Sequence, residues 1–202
     1  LKTAAPKTAS KLTYPTSAMS KAGVASASWT STAIGSLGRL GISFETEAFE
    51  QDTEVTGPIN LVLWVSSSVE DMDIYATMRN IGPDGNDVWE IGQQQQDVPV
   101  AKGWQRASHR KLDPRLSKPY RPYHLHDERL WLKPGERVQV QVEVWPTCMV
   151  FKKGHRIRLD IQPRDGIGSA PYTHYQGDYN TGGKNTVYMG GRHASYILLP
   201  II

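Results

Sequence analysis

From Arg137 to Pro163 the chain reads RVQVQVEVWPTCMVFKKGHRIRLDIQP, and the period of that stretch leaves the backbone few choices. Val138, Val140, Val142 and Val144 alternate with Gln139, Gln141 and Glu143. Successive side chains of a strand point to opposite faces, so this run has one dry face and one wet face. Valine is stiff about its first side-chain torsion and suits a pleated surface. Lys152-Lys153-Gly154 then supplies a turn, after which Ile157, Leu159 and Ile161 alternate with Arg156, Arg158 and Asp160. His155 shares the parity of Ile157 and is read as a partly buried structural histidine paired with Asp73. Two half-buried strands with no helix between them predict an antiparallel sheet that buries one face.

The rest of the chain repeats this grammar. Ile42–Phe49, Ile59–Val65, Met72–Ile81, Asp87–Ile91, Trp104–His109, Thr186–Met189 and Ser195–Leu199 read as strands. Gly57-Pro58, Gly82-Pro83-Asp84-Gly85 and Lys133-Pro134-Gly135-Glu136 read as turns between them, since glycine frees the backbone and proline fixes it. In Ile59–Val65 both faces are apolar, because Val62 and Trp64 occupy the outward parity; a strand of that kind lies mid-sandwich or beneath another domain. Arg110–Asp127, with its prolines, is a long ordered surface loop, and Arg164–Lys184, rich in glycine, is another. No helical period is sustained. Short strands separated by Gly/Pro turns predict an all-β jelly-roll β-sandwich.

Residues 1–40 differ from the remainder of the chain. Up to residue 35 they are Ser, Thr, Ala, Lys and Gly in the main, with no acid and with Tyr14-Pro15 and Trp29 as the only anchors. They are expected to form a linker or N-terminal strap, and residues 41–202 the sandwich domain. A length of 202 residues suits one such domain. The net charge of +3 is small, and after residue 45 acids and bases intermingle, so no nucleic-acid partner is expected. The lone Cys148 excludes a disulfide framework and is read as a buried core thiol. It fits the cytoplasm, the expected compartment, without excluding export. No run is long and apolar enough for a membrane-spanning helix and no signal-peptide pattern is present, so no membrane partner is expected. The chain starts at Leu1 rather than methionine, which suggests a processed product or a piece of something longer.

Several constellations invite a chemical reading. His124-Leu125-His126-Asp127, if extended, puts two imidazoles on one face beside a carboxylate, a metal-like spacing. Lying in a Pro-rich loop, these side chains are better read as partners of the backbone, and no metal or cofactor is expected. Asp71 and Asp73 have the spacing of an acid pair or a cation site, but are read as a turn acid and a carboxylate paired with Arg106 or Arg110. No G-x-S-x-G occurs and no strand-turn-helix elbow could hold one, so no catalytic residue is assigned. Gly182-Gly183-Lys184 lacks the spacing of a phosphate loop. Trp64, Trp89, Trp104, Trp131 and Trp145 could stack on sugars and are read first as core and rim packing.

Taken together and in order, a set of segments resembles the C-terminal domain of the CocE/NonD hydrolase family, whose members include cocaine esterase, X-Pro dipeptidyl peptidases and α-amino-acid ester hydrolases. The segments are Thr53–Pro58, Leu63–Ser67, Asp71-x-Asp73, Pro83–Gly85, Gly103–Arg110, Tyr120–His124, Leu132–Glu136, Val142–Thr147, Gly154–Leu159 and Ser195–Pro200. The resemblance implies a galactose-binding-domain-like jelly roll without catalytic residues. It also implies a partner outside this chain, an α/β-hydrolase domain carrying a Ser-Asp-His triad, against which the sandwich packs and whose active site it helps to wall. Val62 and Trp64 are the residues expected at that inter-domain face. The alternative is a free-standing carbohydrate-binding β-sandwich, which would need coplanar exposed aromatics over a polar groove. A homo-oligomer stays open on either reading.

Overall fold

The alternation that runs through the sequence is realised almost strand for strand. The structure is a computed structural model and describes residues 6–16, 41–93, 95–165, 180 and 182–202. In chain order the strands are β1 (Ser10–Pro15), β2 (Ile42–Glu45), β3 (Thr53–Ser67), β4 (Asp73–Ile81), β5 (Asp87–Val88), β6 (Glu90–Ile91), β7 (Asp97–Val98), β8 (Ala101–Arg106), β9 (Val138–Phe151), β10 (Arg156–Gln162), β11 (Lys184–Met189) and β12 (Tyr196–Leu198). They pair antiparallel in the order β1-β11-β3-β9-β8-β4-β10-β2, with β12 added to β3 and β5 to β4.

This path folds into two leaves. The link between them, β8 to β9, is a single ladder pair, Gly103 opposite Val144. A Cβ on Gly103 would lie 2.4 Å from the carbonyl oxygen of Glu143, so the corner accepts only glycine. One leaf is β1-β11-β3-β9 and the other β8-β4-β10-β2. Between them the inward residues meet: Ile59, Leu61, Leu63 and Val65 of β3, Val138 to Val144 of β9, Ile74, Ala76 and Met78 of β4, and Ile157, Leu159 and Ile161 of β10. Each such aliphatic contributes about 1.5–3 kcal/mol on burial. Phe49 and Phe151, with ring centroids 5.7 Å apart, close one end of this core. The architecture is the all-β sandwich that the period predicts.

Besides the expected Ile42–Phe49 strand, which stops at Glu45, three details depart from the sequence reading. The stretch Gln51–Gly57, expected as a connection ending in a Gly57-Pro58 turn, is mostly strand: β3 runs on from Thr53 through both residues. Gly57 has φ +133°, and the register against β9 shifts between Gly57 and Ile59. The Gly-Pro pair therefore lies opposite a bulge, where glycine's freedom is needed and proline's missing N–H breaks no ladder. Opposite it, Thr147 pairs with Gly57 and Val144 with Ile59, so β9 carries one extra residue at Trp145-Pro146. That residue inverts the parity of the rest of β9. Cys148, expected in the core, consequently faces out and is exposed. Thirdly, the segment expected as a strand from Trp104 to His109 ends at Arg106, and Ala107–His109 turns as a single 3-10 helix.

Within the N-terminal 40 residues, Ser10–Pro15 forms an edge strand paired along its length with β11, and Tyr14 is buried to 3% exposure. Trp29 and most of the glycine-rich stretch from Arg164 to Lys184 lie outside the described residues.

Candidate functional site

The acid pair is the first place to look for chemistry. Bends after Ser67 bring Asp71 under the start of β4, where it is 1% exposed. One of its carboxylate oxygens accepts the N–H groups of Met72 and Ser108, each at 2.9 Å, and the other accepts the Ser108 hydroxyl at 2.7 Å. Asp73 accepts from Arg106 Nε at 3.0 Å and from Asn180 Nδ2 at 3.0 Å. Burial lifts the Asp71 carboxyl above its usual range in spite of the Ser108 and Met72 donors. A raised carboxylic acid can serve as a general acid, but here both oxygens are occupied by the chain itself. The pair fastens the start of β4 to the 3-10 turn. Of the two expected arginine partners Arg106 is the one in place, while Arg110 donates to the carbonyls of Ala107 and Leu130. His155 is not paired with Asp73: its Nδ1 lies 3.0 Å from Asn80 Oδ1. Antiparallel register sets Arg156 opposite Ile81, at the far end of β4 from Asp73.

The histidines of the long loop come together in a way their spacing does not announce. The loop folds on itself through Leu112 opposite His124 and Lys118 opposite Arg121. His126 takes a left-handed conformation, φ +54°, so His124-Leu125-His126 is not extended. His126 Nδ1 instead meets His109 Nδ1 at 3.1 Å, with one ring donating to the other. His124 stacks 5.9 Å from His126, and burial, followed by the neighbouring His126, pushes its ring down to about 4. Burial also lowers His109. Asp127 turns away to Lys111 at 3.0 Å. Among the described residues no group of three or more His, Cys, Asp or Glu side chains could hold a metal ion. His109 and His126 border a groove of about 360 Å³ with Trp104 and Arg106.

Trp64, Trp89, Trp104, Trp131 and Trp145 all sit at the rim rather than in the core. Trp104 and Trp145, 40% and 62% exposed, approach to 5.8 Å with their planes tilted by 38°, which is not the flat platform a sugar ring needs. Val62 and Trp64 are not at an open face either. Val62 is 2% exposed, opposite Tyr196 of β12, and Trp64 is half-buried against the edge of His193 at 4.8 Å. The Trp64 backbone N–H donates to Ser195 Oγ at 2.9 Å. Val62 is thus buried within the chain itself, and Trp64 is covered in part by His193.

Strand β12 creates a new apolar surface further out. Tyr196 and Leu198 pair with Val62 and Asn60, so they share the outward face of β3, and they are 49% and 39% exposed. Asn60 also ties the long loop down, donating to the carbonyl of Pro119 at 2.8 Å. The Tyr196-x-Leu198 alternation is visible in the sequence, but its parity has meaning only once β12 is known to pair with β3.

The comparisons with known proteins agree with this picture. The pattern of the X-Pro dipeptidyl-peptidase C-terminal non-catalytic domain matches residues 6–198. Cocaine esterase of Rhodococcus sp. (strain MB1 Bresler) is 27% identical over 176 residues, covering 80% of this chain and 25% of the esterase. A solved CocE/NonD family hydrolase from Staphylococcus aureus superposes with a TM-score of 0.82 at 27% identity, over 98% of this chain and 34% of the hydrolase. An α-amino acid ester hydrolase shares the fold at TM-score 0.57 and 17% identity, over 82% of this chain and 26% of that one. This chain thus spans a quarter to a third of the length of these proteins.

Proposed function

Since the chain belongs to the family of X-Pro dipeptidyl-peptidase C-terminal non-catalytic domains, we propose that it is the accessory sandwich of a serine hydrolase. On this reading it packs on an α/β-hydrolase domain that carries the catalytic triad, and helps shape an active site acting on acyl, aminoacyl or X-prolyl bonds. The observation that carries the reading is the match of residues 6–198 to that domain, in a chain that spans a quarter to a third of the length of its relatives. The geometry is compatible with it. The conspicuous carboxylates, Asp71 and Asp73, are occupied by the chain's own donors. Exposed Tyr196 and Leu198 offer apolar surface of the kind by which one domain docks on another.

Two measurements test it together. The 202-residue chain is incubated with p-nitrophenyl acetate and with an X-Pro p-nitroanilide, and the reading frame upstream of Leu1 is sequenced. No turnover above buffer and an upstream G-x-S-x-G are expected. Saturable, phenylmethanesulfonyl fluoride-sensitive turnover by this chain alone, or an upstream frame without a hydrolase domain, would overturn the proposal.

A further inference from the structure

At the edge of the first leaf a cavity of about 550 Å³ opens on its outward face, lined among others by Lys11, Arg137, Tyr188, Arg192 and His193. No carboxylate among the described residues lines it. Among the described residues, none of Lys11, Arg137 and Arg192 pairs with an acid. This sets them apart from Arg79, Lys102 and Arg106, each held by an aspartate at 3.0 Å or less.

The cavity is built rather than accidental. Register places Lys11 opposite Tyr188 and Tyr188 opposite Trp64, so the three share one face. The Arg137 guanidinium lies 4.4 Å over the Tyr188 ring, and its Nη1 donates a hydrogen bond to His193 Nδ1 at 3.3 Å. The Tyr188 hydroxyl is held in turn at 2.9 Å by Ser66 Oγ. Stacking and these bonds orient the arginine before any ligand arrives. The far wall is a turn made by Gly190 and Gly191, at φ +70° and +57°. The segment before β1 presses on this turn so closely that a Cβ on Gly190 would lie 2.4 Å from the carbonyl of Thr8. That turn presents Arg192 and His193 to the cavity. Partial burial pulls the Tyr188 phenol up, yet its bond to Ser66 and the charges of Arg137 and Lys11 hold it below its usual value, as expected where positive potential is uncompensated.

We propose that this cavity is a binding site for a small oxyanion, the phosphate or carboxylate group of a small molecule, held by Arg137, Arg192 and Lys11. A planar fork beside a second arginine and a flexible ammonium suits the several oxygens of such a group. The volume leaves room for an organic body against Tyr188 and Met189. The proposal goes beyond the accessory role and is independent of it, since it needs neither a catalytic domain nor turnover.

The test uses the 202-residue chain, titrated with sodium phosphate in one arm and sodium benzoate in the other, and followed by amide chemical shifts at constant ionic strength. Saturable shifts at Gly190, Gly191 and His193, with Kd on the order of 1 mM for at least one anion, are expected. The tighter arm identifies the group. Arg192→Gln, at an exposed and unpaired position, should keep the melting temperature while weakening binding about tenfold. Lys153→Gln, at an exposed lysine outside the cavity, should change nothing. Linear, unsaturated shifts with both anions would overturn the proposal, as would equal binding by Arg192→Gln or equal weakening by Lys153→Gln.

Discussion

Two charged regions of this sandwich are built on opposite terms. On the second leaf acids and bases find each other inside the chain. Asp160, 1% exposed, accepts from Arg79 at 2.7 Å, Arg158 at 3.0 Å and Ser43 at 2.6 Å, and Asp71 and Asp73 are equally occupied. On the first leaf Lys11, Arg137 and Arg192 line a cavity that holds no acid among the described residues. The first arrangement is what a fold does with charges it must bury. The second is offset by nothing among the described residues, and points outward to something that is not part of the domain. In a chain without a nucleophile motif, the distinction between satisfied and unsatisfied charge is the clearest guide to which surfaces serve the fold and which serve something else.

The comparison is sharpened most by breaking the satisfied side. Asp160→Ala strips a buried partner from two arginines and should cost about 3–5 kcal/mol in urea denaturation. A loss below about 1 kcal/mol would show that the network contributes little to the fold. Asp71→Ala leaves the N–H groups of Met72 and Ser108 facing nothing, and a loss of about 2–3 kcal/mol is expected by the same measurement.

The histidine group gives a smaller effect that depends on pH. His124 is pushed down to about 4 in the folded chain, so between pH 6.5 and about 4 the unfolded chain binds more protons there than the folded one. The His124 contribution is complete above pH 6.5 and is lost as the pH falls toward 4, and His109, also lowered, acts in the same sense. Asp71, raised by burial, acts in the opposite sense at the acid end. The histidine slope should therefore be read from melting temperatures in the upper part of that window, and His124→Gln should flatten it. At the other extreme, Arg192→Gln should move stability by less than about 0.5 kcal/mol. Any larger loss would mean that this arginine belongs to the satisfied class after all.

How far the sequence can be read depends on whether a residue's partner is its neighbour in the chain. The valines from Val138 to Val144 announce their face by period alone, and all four are buried. The same logic carried one residue too far fails at Trp145-Pro146, where a bulge against Gly57 inverts the parity and exposes Cys148. A glycine-proline pair ends a strand or continues it opposite a bulge according to what lies across the ladder, which local sequence does not contain. Val62 is buried and Trp64 half-buried, and the neighbours they meet there, Tyr196 and His193, come from far along the chain. The family resemblance is legible because it rests on the order of many short segments. The cation cavity is not, because Lys11, Arg137, Tyr188 and Arg192 are scattered from one end of the chain to the other.

That scattering has a kinetic consequence. Ser10 pairs with Met189 and Pro15 with Lys184, so the edge of the first leaf joins segments that lie far apart in sequence. Folding is slow where contacts are distant, because loop closure must come before any contact compensates it. During synthesis β1 emerges well before β11 and waits for it, and the cation cavity cannot exist until the two meet. Anything that recognises this cavity would therefore recognise only a finished domain.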